Sequence, residues 1–400
     1  MAHDSPINTV HEQAEASFLM YGPAESGIAV VETFGEIEAE YAAVRRGCAL
    51  LDTPHRSLIE VTGDERIEFL NRMLTQELAH LRPFAATDTF WLNRKGRIDA
   101  DLRLVHFEER TLLTCDALVA AAAVESLESF VFAEDIAFTN HADRAHVLAL
   151  HGTTAPVLLA KLAAHTAGPP IADLGQGQAC TATIAGHEVI IDRADLCAAP
   201  GFTITVLSVE HARVVYEHLV EVGSDPEDGQ GLKSGHPYRL RQAGWHAFNT
   251  ARLEGGTPIF NLDFGPDSLP AETGLIDQRV SFTKGCYLGQ EVVARMHALG
   301  HPKQTLVALK TKSIDGEHPP EAEQPQTGQP IYKADDAEQA KPIGAITSST
   351  RSPMLGDTSI AFAQVKWGSH EPGTDLIVRT DAGLAVATVQ PDLAFIDATG

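Results

Sequence analysis

The segment Phe282 to Arg295, FTKGCYLGQEVVAR, combines residue types that could do chemistry. Lys284 stands two positions before Cys286, and a predicted helix begins just after the thiol. A nearby positive charge and a helix amino terminus both lower the pKa of a thiol and favour the nucleophilic thiolate. Cys286 is therefore a candidate functional thiol, with Lys284 as its activator.

The same segment supplies polar groups for a binding pocket. Gly289 permits a positive φ or a close backbone approach, and Gln290 with Glu291 would lie in the first turn of the helix. Tyr287 and Arg295 complete this set of candidate pocket residues. A simpler reading is open from the residues alone: a partly buried thiol at a loop-to-helix junction, with the charges capping the helix.

Charge and composition exclude several classes of function. The formal net charge is -24, from 54 acidic and 30 basic side chains, which would repel a nucleic-acid backbone or an anionic membrane. The start of the chain has no signal-peptide pattern, and no stretch approaches the ~20 apolar residues of a membrane span, so we expect a cytoplasmic protein. Neither the 18 histidines nor the five cysteines show metal-ligand spacing, so we expect no permanent metal. Four cysteines stand in apolar or small-residue settings and are expected to be buried: Cys48, Cys115, Cys180 and Cys197.

Hydrophobic spacing predicts the elements that position these residues. Apolar residues recur at helical spacing from Glu36 to Leu51, in a helix that should end near Gly47, and again from Glu65 to Met73. Two β-rich runs flank the turn residues Asn93 to Gly96 and predict a hairpin. Strands alternate with helices through residues 117–222, which indicates mixed α/β layers.

The chain is expected to form more than one domain, because its 400 residues and 44% hydrophobic content exceed what one core can bury. Residues 1–25 predict a loosely held polar arm, and residues 26–300 a folded region with a junction near 224–235. Short β-rich runs through residues 301–395 predict a C-terminal antiparallel barrel, with a mobile loop at 313–330.

The pattern K-G-C-Y-x-G-Q-E at residues 284–291, with a basic residue four positions later, resembles the signature of the YgfZ folate-binding family. Asn249 to Pro258, NTARLEGGTP, resembles the R-x-E-x-G-x-P element of that family, and Leu269 to Glu272 its L-P-x-E. The resemblance covers residues 30 to 395. It therefore spans nearly the whole chain.

This resemblance implies an α+β fold like that of the T-protein of glycine cleavage, with several domains around a central folate pocket. Residues 26–300 would be the aminomethyltransferase-like folate-binding domain, in two subdomains. The implied cofactor is tetrahydrofolate or a one-carbon derivative, with Arg252 and Glu254 on the approach to the pocket. The Glu254 carboxylate could accept paired N–H donors from the pterin edge. From the residues alone, an ion pair at a helix end is an equal alternative for Arg252 and Glu254.

Two elements that T-proteins use for aminomethyl transfer are altered here. Their G-G-I-x-D-D-like strand corresponds to Gly96 to Asp101, where Ala100 replaces the first aspartate and Asp99 stands one place earlier. A second element ends in Thr203 in place of its final acidic residue. The resemblance therefore implies a factor that supports iron-sulfur cluster assembly or repair rather than a classical turnover enzyme. Its partners would be iron-sulfur client or assembly proteins, and its effect on tRNA modification would be indirect.

Two alternatives stay open. A tetrahydrofolate-dependent aminomethyltransferase or demethylase of the T-protein type would use Asp101 or Asp99 beside the folate nitrogen. The altered elements and the acidic loop at residues 313–330 also suit an interaction scaffold with a vestigial pocket. Folate binding and one-carbon transfer separate these alternatives.

Overall fold

The structure is a computed structural model. It describes residues 5–224, 238–313, 324–336, 339–380 and 383–398. Most of the predicted junction at 224–235 and the first part of the predicted mobile loop at 313–330 lie outside these described residues.

The described chain divides into two compact units. Among the described residues, unit 1 contains 5–91, 100–224 and 238–248, and unit 2 contains 92–99, 249–313, 324–336, 339–380 and 383–398. Unit 2 therefore includes a short excursion from the amino-terminal half, which carries the predicted hairpin turn.

Helices are present in both units. In chain order they are α1 (Asn8–Gln13), α2 (Ile37–Arg46), α3 (Arg66–Met73), α4 (Ala117–Glu128), α5 (Ala155–Leu162), α6 (Ala212–Gly223), α7 (Trp245–Glu254), α8 (Ile276–Arg279) and α9 (Gln290–Leu299). None of the helices in the described part of the chain is long and apolar enough to cross a membrane.

Strands make up most of the remaining regular structure. In chain order they are β1 (Ser17–Met20), β2 (Ala29–Thr33), β3 (Cys48–Asp52), β4 (Arg56–Thr62), β5 (Ala86–Leu92), β6 (Ile98–His106), β7 (Arg110–Asp116), β8 (Ala137–Asn140), β9 (His146–His151), β10 (Ala164–Ala167), β11 (Ala179–Ile184), β12 (His187–Arg193), β13 (Gly201–Val206), β14 (Leu240–Gln242), β15 (Gln304–Ser313), β16 (Pro330–Lys333), β17 (Gly344–Ser352), β18 (Thr358–Lys366), β19 (Asp375–Thr380) and β20 (Gly383–Val389).

Unit 1 is built on two larger sheets and a short hairpin. Within the described residues, a seven-stranded sheet has the order β10-β11-β12-β13-β9-β3-β14, and a five-stranded sheet has the order β5-β6-β7-β4-β8. Strand β14 pairs with β3 in parallel, whereas β9 pairs with β3 on one side and β13 on the other, both in antiparallel fashion. Leu50, Leu150 and Phe202 lie in a fully buried core beneath the seven-stranded sheet.

Unit 2 contains a closed barrel. In the described part of the chain its strands follow the order β15-β18-β17-β16-β19-β20, and every recorded pair is antiparallel. Leu309, Ile331 and Val378 are completely buried in its interior. The predicted fold class, mixed α/β layers followed by a C-terminal antiparallel barrel, is confirmed.

Most element positions agree with the sequence pattern, and differences occur at element ends. Helix α2 ends at Arg46, and Cys48 already begins β3, because the run Cys48–Asp52 is buried at every position and pairs in a sheet. Gly47 separates the two elements at a point where a Cβ atom would lie 2.7 Å from the Arg239 carbonyl oxygen. A side chain would therefore not fit between this helix and this strand.

The first described residues pack closely and do not form the loose polar arm expected for residues 1–25. Ile7 and His11 are completely buried. The Ser5 hydroxyl donates to the Asp52 carboxylate, which also lies 2.9 Å from His11 Nε2 and 2.6 Å from His146 Nε2. Burial alone would raise the pKa of Asp52, but the two imidazoles hold it well below its usual range. This carboxylate ties the amino terminus to strands β3 and β9.

Candidate functional site

Arg252, in the R-x-E element, is completely buried in unit 2. Its guanidinium donates two hydrogen bonds to Asn249 Oδ1, one to the Thr257 carbonyl, one to Ser348 Oγ and one to Asp263 Oδ2 at 2.5 Å. These five bonds account for the five N–H donors of an arginine. Arg252 therefore joins helix α7 to the barrel strand β17 through Ser348, and its ion pair is with Asp263.

Glu254 is also completely buried. Its Oε1 accepts a hydrogen bond from the Ser352 hydroxyl, and its main-chain carbonyl accepts from Phe395 and Ile396. The predicted role of Arg252 and Glu254 in folate binding stays a prediction. Their placement favours a role in holding the barrel and the C-terminal segment onto helix α7.

Glu272, the last residue of the L-P-x-E element, lies beneath the start of strand β15. Its Oε2 accepts from the Leu269 amide at 2.9 Å. Burial raises the pKa of Glu272, and the Leu269 N–H, Arg97, Gln304 and Lys303 oppose that rise. Glu272 therefore gathers residues from three separate segments of unit 2.

In the K-G-C-Y segment, the predicted activator and the predicted thiol have different surroundings. Lys284 is buried, with its Nζ 5.5 Å from the centroid of the Tyr287 ring. Tyr287 is buried too, and burial raises its pKa to about 12. Cys286 is exposed, whereas the four other cysteines are buried as expected. The chain thus offers one accessible thiol.

The rest of this segment forms the start of helix α9. Gln290 is half-buried, and Glu291 and Arg295 are exposed. Gly289 is the N-cap residue and has φ +82, a conformation that favours glycine. The exposed polar groups of the segment are free to meet a ligand.

Helix α9 packs against the turn at residues 93–97, within unit 2. A Cβ atom on Gly289 would lie 2.8 Å from the Asn93 carbonyl oxygen, and one on Gly96 would lie 2.7 Å from Val292 Cβ. Two glycines thus allow two segments, far apart along the chain, to touch. The structure brings the turn at residues 93–97 into contact with the K-G-C-Y-x-G-Q-E segment.

Asn93 organises this turn and holds a carboxylate. Its Oδ1 accepts from the amides of Lys95 and Arg97, and its Nδ2 donates to Asp99 Oδ1 at 2.9 Å. Burial raises the pKa of Asp99, and the hydrogen bond from Asn93 opposes this effect. A carboxyl group with a raised pKa is suited to proton transfer nearer neutral pH.

Strand β6 decides which carboxylates share a face. Ile98, Ala100 and Leu102 are buried, whereas Asp99 and Asp101 are partly exposed. Successive side chains of a strand point to opposite faces, so Asp99 and Asp101 lie on the same face and Ala100 faces the core. Ala100 therefore removes no carboxylate from the accessible face.

Asp101 lies in unit 1 near a second group of polar residues, which sequence reasoning missed. Burial raises the pKa of Cys115 to about 12, with further contributions from Asp116 and Asp101. The Tyr21 hydroxyl donates to Asp116 at 2.5 Å, and the Tyr21 ring lies 4.9 Å from the ring of His55. Tyr21 and His55 stand in no recognisable motif, so only the fold shows that they lie near Asp116.

The altered element that ends in Thr203 begins at Asp192, which forms a buried ion pair. Asp192 accepts two hydrogen bonds from Arg103, at 2.8 and 2.7 Å, and Asp88 accepts a third from the same guanidinium. Asp192 also pairs with Thr203 across strands β12 and β13. This part of unit 1 therefore couples its two larger sheets through a buried ion pair. Across the described residues, no group of three or more His, Cys, Asp or Glu side chains could hold a metal ion.

Two family models match the chain. The GCVT N-terminal domain matches residues 7–284, and the glycine cleavage T-protein C-terminal barrel domain matches residues 305–397. Curated relatives are similar over nearly the whole length. An aminomethyltransferase of Halalkalibacterium halodurans is 25% identical over 96% of this chain and 96% of its own. One of Chlorobium chlorochromatii is 27% identical, over 92% of each chain.

A solved structure shows the same fold. The glycine cleavage system aminomethyltransferase T from Bartonella henselae has a TM-score of 0.80 and covers 98% of both chains at 24% identity. The expected cofactor is confirmed for this superfamily, since its aminomethyltransferases use tetrahydrofolate.

Two expectations from the YgfZ resemblance are wrong. The predicted support of iron-sulfur clusters is overturned because the full-length relatives are aminomethyltransferases. The predicted iron-sulfur client partners are wrong for the same reason, since no such role is named for these full-length relatives. The eight-residue signature directed the prediction to one branch, whereas the similarity of the whole chain is to the T-protein branch. The model of the amino-terminal domain alone matches well over half of the sequence, and the chain belongs to the GCVT family.

Proposed function

We propose that this protein is a tetrahydrofolate-dependent aminomethyltransferase of the glycine cleavage type. One observation carries the proposal: a relative named aminomethyltransferase aligns over 96% of both chains, so both family domains are present together. Its partners would then be other components of that system. A cytoplasmic location stays a prediction.

Asp99 and Asp101 are the groups that fit the chemistry best. Tetrahydrofolate supplies the nitrogen that accepts the one-carbon unit, and a carboxylate beside it can hold or move a proton. Both aspartates lie on the partly exposed face of β6, whereas Glu254 is sealed and bonded to Ser352. Asn93 fixes one oxygen of Asp99, which leaves the other oxygen to act.

The remaining predicted ligand contacts rest on exposure. Gln290, Glu291 and Arg295 begin the accessible part of helix α9, and Tyr287 with Lys284 forms the buried layer below. We infer that the exposed members contact the substrate and that Lys284 and Tyr287 position the loop. Cys286 is accessible, but the proposed transfer does not require a thiol.

The test is glycine-dependent formation of methylene-tetrahydrofolate in a glycine cleavage mixture that lacks its own aminomethyltransferase. The wild-type protein should restore the reaction. The proposal would be contradicted by a wild-type protein that binds tetrahydrofolate but forms no methylene-tetrahydrofolate, either from glycine in this mixture or from a methylated amine tested as a second donor. A protein that binds no folate would favour the scaffold alternative.

Variants of the two aspartates assign the proton-transfer group. Of Asp101→Asn and Asp99→Asn, the variant that removes the proton-transfer group should lower the rate roughly 10²–10⁴-fold. Glu38→Gln, an exposed carboxylate on α2, is the matched control and should keep the wild-type rate. If Asp99 acts as the base, acid protonates it and the rate falls as the pH is lowered. Because the pKa of Asp99 is raised, this fall should occur at a higher pH than it would for an ordinary aspartate. Asp99→Asn should then remove that acid limb.

A further inference from the structure

Asp101 has a second carboxylate, Asp116, beside it in unit 1, and the proposed transfer reaction does not yet use this neighbour. Strand β6 pairs with β7 so that Arg103 stands opposite Thr114. Continuing this antiparallel register by two residues along each strand places Asp101 opposite Asp116. Both carboxylates act electrostatically on the thiol of Cys115, which agrees with this placement. Directly opposed residues of two antiparallel strands point to the same face, so the two carboxylates are neighbours.

Asp116 is held as a carboxylate by two hydrogen-bond donors. The Tyr21 hydroxyl donates to its Oδ2 at 2.5 Å, and the Leu118 amide donates to its Oδ1 at 2.8 Å. Hydrogen bonds to the charged form of a carboxyl group favour that form. Asp116 is buried, whereas Asp101 is partly exposed. Asp116 is therefore the fixed member of the pair, and Asp101 is the member that a substrate can reach.

The next strand places a cation on the other side of Asp116. Strand β7 lies between β6 and β4 in the sheet, and Arg56 of β4 stands opposite Asp116. The neighbouring His55 has its ring 4.9 Å from the Tyr21 ring, and burial lowers the pKa of His55 to about 3. His55 is therefore uncharged near neutral pH. Its ring packs on Tyr21 and helps to hold the phenol against Asp116.

The adjacent positions of strand β6 add further charges. The groups concerned are Asp99, Arg103 and the two carboxylates bonded to Arg103, which are Asp88 and Asp192. Arg103 lies two positions after Asp101, and its two carboxylate partners offset its charge. Asp99 lies two positions before Asp101 and is a further negative group. Helix α4, which begins directly after Asp116, has no acidic residue in its first turn.

A pair of like charges at directly opposed positions destabilises a sheet, so the Asp101–Asp116 pair has a cost in stability. We propose that Asp116 and Tyr21 are positioning residues for Asp101, and that the negative charge of Asp116 makes Asp101 the group that carries the proton. The inference rests on the proposed function, because it needs the transfer reaction. A second negative charge on Asp101 is disfavoured while Asp116 is ionised. Asp101 then exchanges a proton nearer neutral pH than an isolated aspartate would, which suits proton transfer.

The experiment is the pH dependence of methylene-tetrahydrofolate formation by the full chain in the glycine cleavage mixture. Asp116→Asn removes the charge but keeps a good N-cap residue for helix α4. The acid limb, which is the fall in rate as the pH is lowered, should move about one pH unit lower in this variant, because Asp101 loses its ionised neighbour. Tyr21→Phe should move the limb in the same direction by a smaller amount.

A variant of the opposite sign and a matched control complete the set. Arg56→Gln removes the cation beside Asp116, so it should move the acid limb to higher pH. Asp135→Asn is the control, since Asp135 is an exposed aspartate of unit 1 whose side chain also accepts from a backbone amide, that of Asp64. The control should keep the wild-type profile.

The outcomes separate this inference from the proposed function. An unchanged acid limb in Asp116→Asn, or an equal loss of rate at every pH, would overturn the inference and leave the proposed function in place. Loss of the acid limb in Asp99→Asn would assign the proton to Asp99 and would also overturn it. If Asp116→Asn does not fold, Arg56→Gln decides: a limb at higher pH supports the inference, and an unchanged limb overturns it. If the wild type forms no methylene-tetrahydrofolate, the proposed function and the inference fail together.

Discussion

The two motif segments of unit 2 have opposite environments. In the R-x-E element, Arg252 and Glu254 are completely buried and bonded to other protein groups. In the K-G-C-Y element, Cys286, Glu291 and Arg295 are exposed. Both elements are recognisable as sequence patterns, so recognisability alone does not separate a folding motif from a ligand-binding one. Burial separates them, and it leads to different expectations for substitution.

The largest expected effect is in the buried element. Arg252→Met would leave the Asp263 carboxylate buried without its cation, which lies 2.5 Å away in the native structure. Removing one partner of a buried ion pair lowers the free energy of unfolding by about 3–5 kcal/mol. Denaturant titration measures the change, and Arg295→Met, on the exposed element, should cost less than about 0.5 kcal/mol. Equal losses in the two variants would contradict the difference in environment between the two elements.

A middle effect is expected at the glycine that joins the exposed element to the turn. Gly289 has φ +82, and a Cβ atom there would lie 2.8 Å from the Asn93 carbonyl oxygen. Gly289→Ala should therefore lower the free energy of unfolding by about 1–3 kcal/mol. A Cβ atom on Gly285, four residues earlier in the same motif, would lie in open space. Gly285→Ala should leave stability nearly unchanged, and a comparable loss there would argue against the observed packing of α9 on the turn.

The smallest effect is expected at the exposed thiol. Cys286→Ala should change the free energy of unfolding by less than about 0.5 kcal/mol, since the side chain contributes little buried area. Alkylation of the native protein should label one thiol quickly in the wild type and none in the variant, because the other four are buried. Aminomethyl transfer by the variant should equal that of the wild type. A large loss of transfer would return the thiol to the reaction.

The fold was predictable because local patterns and long-range pairing agree over most of the chain. Helix α3 lies within a residue of its predicted bounds, the hairpin turns at the predicted Asn93 to Gly96, and the barrel strands lie within the predicted region 301–395. Each has a hydrophobic period that only one secondary structure satisfies. The barrel was likewise indicated by short strands at regular spacing.

The candidate site was only partly predictable. Strand alternation alone could have placed Asp99 and Asp101 on one face and Ala100 on the other, and that signal was available in the sequence. The burial of Arg252 could not be read from its motif, because its partners Ser348 and Asp263 lie 96 and 11 positions away. The burial of the first described residues could not be predicted for the same reason. Their partner Asp52 lies 47 positions after Ser5 and 41 positions after His11.

The Asp52 contacts also set an order for synthesis and folding. Ser5 and His11 are made before Asp52, and His146 follows Asp52 by 94 residues. Ile7 belongs to a core that also needs Leu240. The segment from Ser5 to His11 therefore completes its packing only after Leu240 has been made, and until then it lacks part of its core.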